Sequence, residues 1–441
     1  MRWSELRALA SKDCRELFGS TAFALLVLVI GPLVGMSFIS AVHAYSEASG
    51  GGLGQAALAS ALSPLDGILV PAFGAYDLLI TFLVPFIAIR LVAAEKSSGA
   101  IALLLQSPAS PGSQLASKLV ALLAGWSIVL IPAVAALSFW RASGGHLSAP
   151  ETSALLLGHT LRYLVTCSLA IAAASIFDGA ASAAIAVLAI TIGSWALDFF
   201  AAGRGGWVAT VARYTPSAML RQFERGLLEY DAVIASFVAT IALLVIAAAF
   251  LDLRVSRRRR VIRVVAALVV AAAFFAFGRT SRSADLSEDR RNSFSLADEQ
   301  LLRSIDRPVM IRIHLAAEDP RANDYERNVM TKLRRTIPRL HAEYPYAGRT
   351  ALFDGDDRYG TILYRVGAKE VVSRSTTEEI VLDELETLAG LTPPQRGEPE
   401  YPGYPLNASP RGAATLFYGV WPLLVLASFV ISRRPYSRRT G

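Results

Sequence analysis

Apolar residues in this chain gather into long unbroken runs, not into the short alternations of a soluble sheet or a one-sided helix. Eight such runs lie at about 21–43, 74–94, 119–140, 153–177, 180–201, 232–252, 262–278 and 413–432. A helix needs roughly 20 apolar residues to cross the hydrocarbon core, where every backbone polar group must be satisfied within its own segment. The pattern therefore predicts a mainly α-helical integral membrane protein of about eight transmembrane helices. The run at 262–278 is short and reaches full length only if Arg263 extends back to the membrane surface. The first run follows an amphipathic, mixed-charge stretch and lacks a small-residue cleavage site, so it reads as an anchor, not a removed signal peptide.

Residues 279–411 break the pattern. "PVMIRIHLA" alternates like a strand, 321–344 reads as a charged amphipathic helix, "TILYRVGAKEVV" as a strand pair around Gly367, and 376–390 as a second helix. "LTPPQRGEPEYPGYPLNASP" then returns the chain to the membrane as a Pro- and Gly-rich linker. The segment is expected to be a small α/β domain.

Of 441 residues, 53% are hydrophobic and only 18% charged, which excludes a single soluble globule. The net charge of +7 belongs to the apolar part, since 279–411 holds more than half of the acids. Lys and Arg concentrate in the segments that are inside if the N-terminus is inside, among them Arg2, Arg7, Lys12, Arg15, Arg90, Lys96, Lys118 and the run from Arg254 to Arg263. By the positive-inside bias both termini are then cytoplasmic and 279–411 is extracytoplasmic. The run Arg257 to Arg260 reads as a topology anchor on anionic membrane lipid, not as a nucleic-acid patch.

Chemistry is sparse. No GxxxxGK[ST] loop is present to cradle ATP phosphates, nor HExxH, GxSxG or a Cys/His cluster, and the two cysteines, Cys14 and Cys167, form no framework. No catalytic residue, cofactor-binding residue or metal site is expected in this chain, and any ATP and Mg would be bound by a partner. Asp354, Asp356 and Asp357 lack the spacing and closing Glu of a calcium loop. Arg162 and Asp198 are charges inside apolar runs, where an unpaired one costs about 2.5 to 3.5 kcal/mol on insertion scales. They read as a structural ion pair or snorkelling groups, or else as a polar contact for cargo.

The most informative stretch is "AAEKSSGAIALLLQSPASPGSQLASK", between the second and third runs. Glu95 and Lys96 close a span, Gly99 allows a turn, an apolar stretch follows, and Pro108 and Pro111 stop it, so a short amphipathic helix on the inner surface or an ordinary interfacial loop would fit. With Glu95, Gly99, Leu103 to Leu105, Ser107, Pro108 and Lys118 in this order, the stretch resembles the type 2 permeases of ATP-binding-cassette exporters, in particular the gliding-motility (Gld) and nitrous-oxide-reductase maturation branches. The likeness extends over 1–260: "ELRALASKDCRELFGS" is similar to the family's interfacial helix, with Lys12–Asp13 where a Lys–Glu pair is usual. Gly226, Glu229 and Asp231 match its outer segment before the sixth span. Beyond this, Asp285, Leu286, Arg291, Ser295, Leu296, Leu302 and Pro308 are similar to the opening of the Gld-type auxiliary membrane protein, although the domain here is much shorter.

The resemblance implies an interfacial helix at 1–20, a six-helix permease domain at 21–260, an anchor at 261–278, an auxiliary domain with its linker at 279–411, and a last helix with a basic tail at 412–441. It implies a bacterial cytoplasmic (inner) membrane, a separate cytoplasmic ABC ATPase docking on Glu95, Gly99, Leu103, Leu104, Ser107, Pro108 and Lys118, and a homodimer or paired permease. An outward partner for the auxiliary domain is a further expectation. The rival reading is a membrane-anchored binding or assembly scaffold that presents the outer domain without transport.

Overall fold

The computed structural model describes residues 3–50, 62–99, 110–201, 206–252, 254–277, 282–316, 319–346, 358–394 and 401–433. The chain divides into two compact units: Met1–Gly193 with Tyr230–Thr280 and Pro402–Gly441, and Ser194–Glu229 with Ser281–Tyr401.

The first unit is a helical bundle. It contains α1 (Trp3–Phe18), α2 (Thr21–Gly50), α3 (Val70–Phe82) entered through a π turn at Leu65–Leu69, α4 (Val84–Ser97), α5 (Pro111–Val129), α6 (Ile131–Ala142) and α7 (Ala149–Ile176). Helix α8 (Ala180–Ala201) starts in this unit and runs on past its boundary at Gly193. Pro71, Pro85 and Pro132 each stand at the start of a segment, where the missing N–H is tolerated, so α3 and α4, like α5 and α6, make one long helix in two pieces. Helices α5 and α7 begin on true caps: Ser110 Oγ accepts from the Ser113 N–H at 3.2 Å, and Ser148 Oγ from the Glu151 N–H at 3.4 Å. Core aromatics bring their polar tips to backbone. Tyr76 donates to the Val129 carbonyl at 3.0 Å, and Tyr163, stacked on Trp126, donates to the Leu122 carbonyl at 2.8 Å.

Among the described residues seven helices are long and apolar enough to cross a membrane: Thr21–Gly50, Leu65–Ser97, Pro111–Ala142, Ala149–Ile176, Ala180–Ala201, Tyr230–Leu251 and Thr415–Ser432. The remaining expected run forms a helix as well, Arg257–Phe277, which is not among these seven. Arg257, Arg258, Arg259, Arg260 and Arg263 occupy its first two turns, so its apolar part reaches the length of a span only if Arg263 extends back to the membrane surface.

The final helix lies against α2. Trp421 Nε1 donates to the Val27 carbonyl at 2.8 Å, and a Cβ placed on Gly31 would fall 2.1 Å from the Trp421 ring, one on Gly35 2.4 Å from Phe417. Two glycines one turn apart thus make room for two aromatics one turn apart on an antiparallel neighbour. The Pro-rich return segment is laid on the far end of α2. Tyr45 donates to the Tyr404 carbonyl at 2.8 Å, Ser46 Oγ donates to the Ala408 carbonyl at 2.8 Å and accepts its N–H at 2.9 Å, and Ser49 Oγ accepts from the Leu406 N–H at 3.0 Å.

The second unit adds α9 (Gly206–Ala212), α10 (Pro216–Glu224) and β1 (Leu227–Glu229). The first unit resumes with α11 (Tyr230–Leu251) and α12 (Arg257–Phe277). Next come β2 (Ser283–Asp285), α13 (Leu296–Arg303), β3 (Val309–Ile313), α14 (Pro320–Tyr325), a π turn at Glu326–Met330, α15 (Thr331–Thr336), β4 (Leu340–Glu343), β5 (Ile362–Val366), β6 (Lys369–Ser373) and α16 (Glu378–Ala389). A second π turn, Thr415–Val420, leads to α17 (Trp421–Arg433) in the first unit. The main sheet has the order β4-β3-β5-β6, with β3 and β4 parallel and the other pairs antiparallel. Alternate residues Val309, Ile311, Ile313 and Ile362, Tyr364, Val366 enter one core with Leu333, Val381, Leu382 and Leu385 from the helices. The expected β3 strand, the β5–β6 pair and the helix near 376–390 are all present. The helix expected over 321–344 ends at Thr336, because Ile337 turns extended ahead of Pro338 and the chain continues as strand β4.

Candidate functional site

Four charged side chains meet at one end of the bundle. Helix α1 turns one face inward, and Asp13 and Leu17, four residues apart, are both buried on it. Glu95 stands in the last turn of α4, and Lys118 in the second turn of α5. Lys118 Nζ lies 2.8 Å from Glu95 Oε2 and 3.4 Å from Asp13 Oδ1, Ser117 Oγ donates to Asp13 Oδ2 at 2.5 Å, and Lys12 Nζ donates to Glu95 Oε1. Asp13, Glu95, Ser117 and Lys118 are all buried, while Lys12 reaches in from a half-exposed position.

The electrostatics explain the arrangement. A buried charge is costly unless it is paired and hydrogen-bonded, and here two ammonium groups face two carboxylates. Burial alone would lower the pKa of Lys12, but the hydrogen bond and charge of Glu95, with Asp13 and Glu16 behind, raise it above its ordinary value of 10.5. Carboxylate oxygens of Asp13, Glu16 and Glu95 lie within 4.8 Å of one another, close enough to hold a cation. Lys12 and Lys118 already supply positive charge there, so the donor set fits a salt-bridge network better than a metal.

This network ties three helices together: α1 and the two helix ends that flank residues 100–109. Of the residues expected to form the docking element, it includes Glu95 and Lys118. Gly99 ends the helix with a φ of +73°. Leu103, Leu104, Ser107 and Pro108 lie outside the described residues. Lys96, next to Glu95, points elsewhere and binds the Phe177 carbonyl at 2.9 Å and Asp178 at 3.1 Å.

The ion pair read from the sequence between Arg162 and Asp198 is replaced by two others. Arg162 Nη1 lies 3.0 Å from Asp77 Oδ1 and its Nη2 donates to Thr81 Oγ1 at 3.0 Å, whereas Asp198 is paired with Arg221. Asp77 presents the corresponding turn of α3 to α7, and Arg221 belongs to the same compact unit as Asp198.

Gly226, Glu229 and Asp231 fall on different units. Gly226 has a φ of +73°, and a Cβ there would lie 3.0 Å from Ser287, so only glycine fits the turn into β1. The Gly226 carbonyl accepts the Leu286 N–H at 2.8 Å, and β1 pairs antiparallel with β2 from Leu227↔Asp285 to Glu229↔Ser283. Glu229, largely buried, accepts from Arg335 at 3.2 Å and Arg213 at 3.4 Å. Asp231 is buried in the first turn of α11, where a negative charge suits the helix dipole.

Sequence reasoning noted Lys12 and Asp13 only as a variant of a family pair and did not join them to Glu95 and Lys118. It missed Asp77, whose signal was available as a solitary acid among the apolar residues before Arg90.

No curated protein matches the chain significantly, and no solved structure does. The charge network of Lys12, Asp13, Glu95 and Lys118 falls within a segment that does match a family: residues 7–204 fit the family model described as ABC-2 family transporter protein, so this part of the chain is similar to the membrane component of ABC-2 transporters, a multi-pass permease and not the ATPase itself.

Proposed function

We propose that this chain is the permease subunit of an ATP-binding-cassette export system in a bacterial cytoplasmic membrane, driven by a separate cytoplasmic ATPase that binds ATP and Mg. The observation that carries the reading is the buried network of Lys12, Asp13, Glu95 and Lys118 inside the segment that matches the ABC-2 family. It binds α1 to both helix ends flanking residues 99–109. A push on that stretch by a closing ATPase pair would therefore move α1, α4 and α5 together instead of bending one loop. The permease works as a homodimer or paired with a second permease. The reading takes 279–411 as a short extracytoplasmic auxiliary domain of the gliding-motility type, on the likeness of Asp285 to Pro308, with both termini cytoplasmic.

The test is purification of the full chain from its native membrane in mild detergent, with mass spectrometry of co-purifying chains and an ATPase assay. A stoichiometric subunit with a phosphate-binding loop, retained by Glu95→Gln but with its hydrolysis uncoupled from transport, is the expected result. Absence of any such ATPase, with outward-facing proteins captured instead, would replace the permease by a membrane-anchored scaffold.

A further inference from the structure

The pairing of Arg162 with Asp77 has a depth and an orientation. Arg162 stands at the centre of a 28-residue helix, about 20 Å from either end at 1.5 Å per residue, which puts it near the middle of a bilayer. Its guanidinium is buried, but the Asp77 side chain is 40% exposed. Asp77 Oδ1 itself is buried against Arg162, so the exposure belongs to the rest of the side chain.

Asp77 lies on an open face of the second span. Gly74, Leu78, Phe82, Phe86 and Arg90, at four-residue intervals, are all exposed, with Asp77 and Thr81 along the edge. Leu78, Phe82 and Phe86 are apolar, and Asp77 and Thr81 set a carboxylate and a hydroxyl beside them, at depths where α8 exposes Ile185, Ile192 and Phe199. Charged groups inside membrane helices face the bundle interior or a water-filled cavity, because hydrocarbon offers them no solvation. One turn before Arg162, the fully buried imidazole of His159 stands beside the rings of Phe73 and Tyr76, and neither of its nitrogens has a hydrogen-bond partner among the described residues. A buried polar group of this kind is ordinarily satisfied by water.

We infer that the face carrying Gly74, Asp77 and Thr81 lines a water-filled passage through the membrane. The Asp77–Arg162 pair is its mid-membrane polar lining. The identity of what travels rests on the permease reading; the water in the passage does not.

The experiment places single cysteines in the full chain, in a background carrying Cys14→Ser and Cys167→Ala, reconstituted into phospholipid vesicles without ATPase or cargo. Gly74→Cys is the main variant, since a Cβ there meets nothing within 4 Å. Thr81→Cys is the second, and Ile185→Cys, 69% exposed on α8, is the lipid-facing control. A charged, membrane-impermeant methanethiosulfonate reacts only with a hydrated thiolate, so Gly74→Cys and Thr81→Cys are expected to label at least about tenfold faster than Ile185→Cys. Equal, slow labelling of all three would overturn the inference. So would spontaneous disulfides between Gly74→Cys chains with no labelling, which would mean that a second copy seals this face. Either failure leaves the permease reading standing, because that reading depends on the ATPase partner.

Discussion

Glu95 Oε2 and Lys118 Nζ meet at 2.8 Å although the 100–109 stretch separates them in sequence, and Asp13 of the first helix completes the pair from the other side at 3.4 Å. The contact therefore joins the helices on either side of that stretch and fixes α1 to them at the same point.

Removing one member of this set should cost more than removing an exposed charge. Lys118→Met leaves two buried carboxylates with Lys12 as their remaining cation, and breaking a buried pair in this way costs about 3–5 kcal/mol. Glu95→Gln is milder, about 1–3 kcal/mol, because Lys118 retains Asp13. Chemical denaturation of the detergent-solubilised chain measures both. A Lys118→Met variant as stable as one altered at exposed Arg90 would show that the network contributes nothing.

Alkaline pH should weaken the same contact. The folded pKa of Lys12 lies above its ordinary value of 10.5, so its contribution is fully present below 10.5 and is lost as pH rises through the still higher folded value. The unfolding temperature should therefore owe no change between pH 7 and 9 to this group and should fall above 10.5. Lys12→Gln is expected to remove that part of the alkaline fall, which a pH series of thermal melts would read.

Overfilling the seam between α2 and the last helix should loosen it. Gly35→Leu drives a side chain into Phe417, at a cost of about 1–3 kcal/mol. Adding Phe417→Ala should recover part of the loss, since the new volume is then accommodated. Thermal stability of the single and double variants decides this, and a double variant no better than the single would contradict the packing described.

A fourth expectation concerns the second unit. Gly226→Ala imposes a side chain at a φ of +73° and against Ser287, and strain of this kind costs about 1–3 kcal/mol. The β1–β2 pairing should weaken, and limited proteolysis should cut between Arg213 and Glu229 faster than in the unaltered chain. Unchanged protection would mean that the turn does not hold this segment.

Much of the α/β part of the second unit was legible because its strands alternate on one face, so Val309 to Ile313 and Ile362 to Val366 declare themselves by period. The helix ending at Thr336 was not, since charged residues continue past it and only the extended turn at Ile337 before Pro338 marks the change. The sharing of one compact unit by 194–229 and 281–401 has no sequence signal, because a three-residue pair such as β1–β2 is too short to show a pattern.

By itself the sequence determined that this is a multi-pass membrane protein with a polar insert. Those properties follow from local composition, which lipid and water sort without reference to distant residues. It also singled out Glu95 and Lys118, on either side of the 100–109 stretch. Only the tertiary structure decided that Asp13 and Lys12 join them, that Arg162 belongs to Asp77 and Asp198 to Arg221, and that Trp421 rests on Gly31. A buried charge takes the nearest opposite charge in space, and helix packing decides which one that is.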